Sequence, residues 1–158
     1  MKCLMLMMLC LASVTQAQSP VDLEKEKAEL LRLHRLDREA HFKTDVDLLL
    51  DGSAEEFIAV SNGKISRSQR TGERAGFAEY FKGVKYYEWD DLEAPIVRIS
   101  KDGSMAWMIT RLRSRRTQKD NAGKEKEQRF VYAGIMIYEK QNGKWVRVAN
   151  VSTFEPPG

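Results

Sequence analysis

His34, Asp37 and His41 follow one another at i, i+3 and i+7 in "ELLRLHRLDREAHFK", and they include both histidines of the chain. At about 100° per residue the three fall on one helical face with Leu23, Leu30, Leu33 and Ala40. Arg32, Arg35, Arg38 and Glu39 fall on the opposite face, toward water. Polar side chains on an inward face need partners, because burying them unpaired is costly. A histidine turned into a cavity can act as a general base near neutral pH, with a nearby carboxylate orienting it. The spacing therefore points to Asp37 and His41 as a proton-transfer pair, with His34 beside them as a ligand contact. Blander roles fit the same residues. His34 can sit at the helix edge, Asp37 can pair with a strand arginine (Arg98, Arg111 or Arg113), and His41 can close the helix against its dipole. The His-Asp-His spacing lacks a fourth ligand and any cysteine nearby, so no metal is expected.

Further candidates lie on strands. Arg111, Arg113 and Arg115 alternate with Leu112 and Ser114, and three arginines on one face can hold an anion. Arg111 is nearest the apolar centre and is the one expected in a cavity. Arg115 and Arg116 are expected in solvent beside the polar hairpin "QKDNAGKEKEQ". Trp89, Tyr87 and Trp107 are expected as core or cavity lining. On the last strand Val146, Val148, Asn150, Ser152 and Phe154 share a face by alternation, and the polar pair Asn150 and Ser152 follows the valines as if core gives way to a cavity. The chain has no glycine-rich phosphate loop, nucleophile elbow or zinc motif.

The elements that would position these residues are legible in the pattern. A helix is expected over about 20–43, with Ser19 as cap, Pro20 as first residue and Asp22 in the first turn. A short helix follows over Thr44–Leu50, with Thr44 as its cap and Asp51-Gly52 as its stop. From Glu56 the content turns β-branched and aromatic, and Asn62-Gly63 marks a hairpin. "TGERAGFAEYFKG" is a third helix, capped at Thr71 and stopped at Gly83. Strands then run over 84–93, 95–101, 104–118, 126–140 and 144–154, divided by turns at Asp102-Gly103, Asn121-Ala122-Gly123 and Asn142-Gly143. Helices first and strands afterwards give an α+β layer architecture. "MAWMI" and "VYAGIMIY" are apolar on both alternating sides, so both faces of the sheet centre are expected to be covered. Three helices can cover only one. A second copy of the chain across the outer sheet face, as a two-fold homodimer, is the expected cover for the other.

The 158 residues suit one domain preceded by a leader. "MKCLMLMMLCLASVTQA" has a lysine, a short apolar run and small residues at −3 and −1 of a cut before Gln18. That is the form of a secretory signal peptide over 1–17, too short for a membrane span. Cys3 and Cys10, the only cysteines, lie in it, so the mature chain would carry no disulfide and no thiol nucleophile. A secreted or periplasmic location is expected, with no membrane association after cleavage. Removing Lys2 from 26 basic residues leaves 25 against 23 acidic ones, a net charge of about +2. That balance, and the lack of aromatics among the strand arginines, exclude a general nucleic-acid binder.

The stretch "TDVDLLLDGSAEEFIAVSNGKI", with Glu55 and Glu56 as an acidic pair before the first strand, the helix "GFAEYF" and the closing "NGKWVRVANVSTFE" together resemble the nuclear transport factor 2-like superfamily. That superfamily includes SnoaL-type polyketide cyclases and ketosteroid isomerase. The resemblance runs from about 22 to 155, within a single SnoaL-like domain over 20–155. It implies a cone-shaped, curved antiparallel sheet packed by three helices of the N-terminal half (cystatin-like), with a cavity between them. By spacing from Asp45, the tyrosine of ketosteroid isomerase falls near Asp37, its general-base aspartate near Ser61, and its oxyanion-hole aspartate near Gly134 or Ile135. None is kept, so that chemistry is not expected. With the leader reading, the expectation is instead an exported SnoaL-like protein that binds a small organic molecule in its cavity. If it turns that molecule over, the chemistry is expected to be cofactor-free acid-base chemistry of lyase, isomerase or hydrolase type. Asp37 and His41 would move the proton; His34, Trp89, Trp107, Arg111, Asn150 and Ser152 would line the ligand site. The alternative is a dimeric interaction module with a vestigial cavity. An open pocket of about 300 Å³ or more, with Asp37 and His41 in its wall, would favour ligand binding. A pocket plugged by Trp89, Trp107 and Phe154 would favour the module.

Overall fold

A computed structural model describes residues 21–120 and 122–155. The expected leader over 1–17 and the Ser19-Pro20 cap lie outside the described residues. The elements are α1 (Leu23–Lys43), α2 (Val46–Leu50), β1 (Ser53–Ser61), β2 (Lys64–Gln69), α3 (Arg70–Phe81), β3 (Val84–Asp91), β4 (Ile96–Ile99), β5 (Met105–Lys119), β6 (Glu125–Gln141) and β7 (Lys144–Phe154). The three helices belong to the N-terminal half, with the β1–β2 hairpin between α2 and α3, and all seven strands form one curved, open sheet, an α+β architecture.

Capping differs from expectation in a consistent way. Asp22 caps α1, accepting from the Lys25 amide at 3.1 Å, so the helix starts after it and not before. Thr44 is not the cap of α2. It closes α1 in the left-handed conformation, φ 51°, and Asp45 caps α2 by accepting from the Leu48 amide at 3.0 Å. A carboxylate accepts that bond and also faces the positive end of the helix dipole. α3 starts one residue before Thr71, without a side-chain cap.

The strand order is β2-β1-β7-β6-β5-β3, with β4 also pairing β5. β3 and β4 share one edge of β5 in succession, along 112–118 and 106–109. Every pair is antiparallel except β1 with β7. Asn62-Gly63 and Asn142-Gly143 both take positive φ at two successive residues, the turn that matches strand twist in a two-residue hairpin. β5 alternates strictly: Ala106, Met108, Leu112, Ser114 and Arg116 are buried, whereas Met105, Trp107, Arg111 and Arg113 are exposed. β7 does not alternate strictly. Ile137 pairs with Ala149 but Tyr138 pairs with Arg147, so Val148 is an extra residue, a bulge.

Two apolar clusters lie under the helices. Leu30 packs with Val97, Ala106, Met108, Tyr138 and Trp145; Ala40 and Leu49 pack with Phe81, Val84 and Tyr86. Leu23 is 46% exposed, so the apolar face of α1 becomes core only from its second turn. Glu26 anchors that end of α1 to the sheet by accepting from Trp145 Nε1 at 2.6 Å and pairing with Lys140.

Candidate functional site

Between helices and sheet lies a cavity of about 200 Å³. α1 contributes His34, Asp37 and His41; β5 and β6 contribute Met108, Thr110, Leu112, Tyr132, Met136 and Tyr138. Phe57, Glu73 and Phe77 close one side, Trp89 another, and Arg147 and Asn150 come from β7. Asp37 and His41 stand in its wall as expected. The volume, however, falls short of the about 300 Å³ set for a ligand pocket and lies below the range of drug-sized sites, roughly 300–1,000 Å³. Trp89 stands in the wall, while Trp107 and Phe154 do not, so the three do not form a plug.

His41 is the most enclosed of the three α1 residues, 7% exposed. Its ring stacks on Trp89, centroids 3.8 Å apart and planes 14° apart, with Phe81 and Tyr86 edge-on. Nδ1 lies 2.8 Å from the Asp37 carbonyl oxygen, which can only accept, so Nδ1 carries the proton. In the neutral ring the lone pair is then on Nε2, which has no hydrogen-bond partner among the described residues. The Asp37 carboxylate lies 3.5 Å from Nδ1 and reinforces this tautomer. His34 is fixed differently: its Nε2 donates to both oxygens of Asp91, at 2.9 and 3.0 Å. Next along β3, Asp90 takes Arg38, which also donates to the Trp89 carbonyl at 3.0 Å. The acidic pair at the end of β3 thus pins α1 to the sheet edge. It also draws Arg38 out of the purely solvent role its helical face suggests.

Asp37 pairs with an arginine, but not with Arg98, Arg111 or Arg113. Arg147 Nη1 donates to Asp37 Oδ1 at 2.9 Å, while Nη2 donates to the Leu49 carbonyl and, at 3.0 Å, to Ser53 Oγ. One guanidinium therefore joins α1, α2, β1 and β7. Strict alternation places Arg147 on the face opposite Asn150; the Val148 bulge brings both inward. A bulge leaves little trace in a single sequence. The available signal was the need of an inward Asp37 for a cation.

Tyr132 was also missed. It lies across Gly134, where a Cβ atom would come within 2.2 Å of the tyrosine hydroxyl and 2.6 Å of the Val151 carbonyl. Only glycine allows that approach, and an isolated glycine within a strand is a signal of one. The Tyr132 hydroxyl is held protonated above the usual tyrosine range, first by burial and then by the Asp37 carboxylate, against the opposing effect of Asn150. Burial does the same to Tyr138, against the opposing charge of Arg147. Two polar wall atoms are buried without a partner, Trp89 Nε1 and Asn150 Oδ1.

Three expected site residues lie elsewhere. Trp107 is 41% exposed on the outer sheet face, because Met108 and Thr110 take the inner positions of β5. Arg111 shares that outer face and pairs with Glu155 at 2.7 Å and Glu93 at 3.5 Å. Ser152 is half-buried opposite Gly134 but does not line the cavity. Arg116, expected in solvent, is 9% exposed. It lies against the rings of Tyr80, Tyr86 and Phe130 and donates to Gln128 at 2.9 Å. Among the described residues no three His, Cys, Asp or Glu side chains are grouped to hold a metal ion. No described helix is long and apolar enough to cross a membrane.

No protein-family model matches the sequence. No curated protein matches it either. Solved structures do. A ketosteroid isomerase-like protein from Erwinia carotovora atroseptica superposes with a TM-score of 0.64 at 12% identity, covering 84% of this chain and 98% of the other. A nuclear transport factor 2-like protein with a cystatin-like fold from Novosphingobium aromaticivorans gives 0.59 at 14% identity, covering 86% of each. A candidate calcium/calmodulin dependent protein kinase II association domain from Xanthomonas campestris gives 0.59 at 18%, covering 93% of this chain and all of the other. The fold is thus nuclear transport factor 2-like, or cystatin-like. At these identities the likeness shows the fold and carries no activity with it.

Proposed function

We propose that the protein binds a small organic molecule in this cavity and that His41 Nε2 serves there as a proton acceptor. The observation that supports it most is the pair of unpartnered wall atoms, Trp89 Nε1 and Asn150 Oδ1. A buried polar atom left without a partner costs about 1–3 kcal/mol. A wall with two such atoms beside an imidazole lone pair suits a polar ligand better than a vestigial cavity. Asp37, held by Arg147, orients His41 and balances charge rather than carrying the proton itself. Tyr132 and Asn150 position the ligand. In this reading the chain is SnoaL-like and exported, with its leader-like first 17 residues removed. Thermal melting against a panel of small acids, cyclic ketones and terpenes tests it. A binder should raise the melting temperature by mass action. The rise should vanish in Asn150→Ala, whose own stability need change little. A panel without any rise would remove the reading.

A second reading concerns assembly and rests on the outer face. Met105, Trp107 and Ile135 are 48%, 41% and 36% exposed there, beside Ile109 and Ile137 on the same pair of strands. A contiguous apolar patch of this kind marks an interaction surface, and a second copy of the chain is its proposed occupant. The likeness to a structure described as an association domain supports this reading. Sedimentation should show a dimer for the wild type and a folded monomer for Trp107→Glu. A monomeric wild type at micromolar concentration would overturn it.

A further inference from the structure

The charges in the cavity wall do not balance. Among the described residues, Arg147 is the only lysine or arginine lining it, against two carboxylates, Asp37 and Glu73. Arg147 is matched by Asp37, and both hydrogens of its Nη2 are engaged by Leu49 and Ser53. It is therefore not a free anion binder. Glu73 accepts from Ser68 Oγ at 2.5 Å through Oε1 and pairs with no cation among the described residues. The unengaged polar atoms lean the same way. Glu73 Oε2, His41 Nε2 and Asn150 Oδ1 are acceptors; Trp89 Nε1 is the donor. The rings of Phe57, Phe77, Trp89 and Tyr132 complete the wall, and aromatic faces attract cations.

We infer that the ligand of this cavity is a small organic amine in its ammonium form. Its N–H groups pair with Glu73 and Asn150, and its apolar body lies against the aromatic rings. The inference rests on the ligand-binding reading above and deepens it. Glu73 is only partly exposed at the cavity wall and has no salt-bridge partner among the described residues, and an ammonium supplies both the charge and the donors. A carboxylate or phosphate ligand would meet Glu73 with like charge. The cavity volume limits the ligand to about one ring.

The test compares three molecules of one shape: benzylamine, benzyl alcohol and benzoate. Melting temperature gives affinity at pH 7, and the indole Nε1–H resonance of Trp89 reports whether each enters the cavity. Benzylamine should move the resonance and bind about tenfold or more tighter than benzyl alcohol, the size of a charge-assisted hydrogen bond. Benzoate should bind weakest. Glu73→Gln keeps an oxygen for Ser68 and should erase the preference for the amine over the alcohol; a preference that survives would overturn the pairing with Glu73. Benzyl alcohol or benzoate moving the resonance as well as or better than benzylamine in the wild type would overturn the amine class and leave cavity binding standing. Silence from all three would overturn the amine class, and the wider panel above would then decide whether the cavity binds a ligand at all.

Discussion

Arg111 and Arg147 are both strand arginines held by carboxylates, yet they sit in opposite settings. Arg111 stands on the outer face of β5 with its side chain 43% exposed, between Glu93 and Glu155 at the surface. Arg147 stands on the inner face of β7 with its side chain 12% exposed, and joins a carboxylate, a backbone carbonyl and a hydroxyl from three other elements. Water screens the first pair and competes for its partners, so it contributes little. The second is largely shielded from water, with its partners 12% and 23% exposed, so each depends more on the other for solvation. An ion pair near a site therefore says little until its exposure and its further hydrogen bonds are known.

The sharpest way to break this contrast is Arg147→Met. It leaves the Asp37 carboxylate and the Leu49 carbonyl half-buried without their donor, and should cost roughly 3–5 kcal/mol in urea unfolding. Adding Asp37→Asn should restore part of that loss. A double-mutant cycle without coupling would show that the pair is not a unit. A smaller effect is expected at high pH from Tyr138, whose hydroxyl burial holds above its ordinary range. Its folded value is raised, so its contribution is complete below about pH 10, where an unfolded tyrosine ionises, and is lost as pH rises toward the folded value. Tyr138→Phe should flatten the alkaline decline of stability; an unchanged slope would place the decline elsewhere. Arg111→Met should be smallest, leaving the urea midpoint unchanged. A clear loss there would mean that the outer face is covered in solution and that Arg111 takes part in the contact.

Most of the fold was legible because its punctuation is chemical. Asn62-Gly63 and Asn142-Gly143 can take the two positive φ values a tight hairpin needs, and Asp51-Gly52 and Gly83 end helices. The α1 part of the site was legible because a period of 3.6 fixes which residues share a face. On the strands the same logic gave relative faces only. Trp107 and Arg111 do share a face, as alternation requires. Which face was inward could not be read, because Met108 and Trp107 are equally apolar. In β7 even the relative faces failed, since a single extra residue at Val148 inverts everything on one side of it. Arg147 was lost there. Tyr132 was lost because the sequence shows Gly134 without showing what crosses it.

The parallel pairing of β1 with β7 also has a consequence in time. The last strand lies directly against the first, with its Ser152 beside Ser61. The Arg147–Asp37 bond spans 110 positions of sequence. Contacts so distant along the chain close a long loop before they return any stabilisation, which slows folding. Until β7 docks, β1 and β6 each present a bare edge and the cavity lacks one wall. The cavity should therefore be among the last parts of the molecule to form, and a chain cut short before Lys144 should be open to edge-to-edge aggregation.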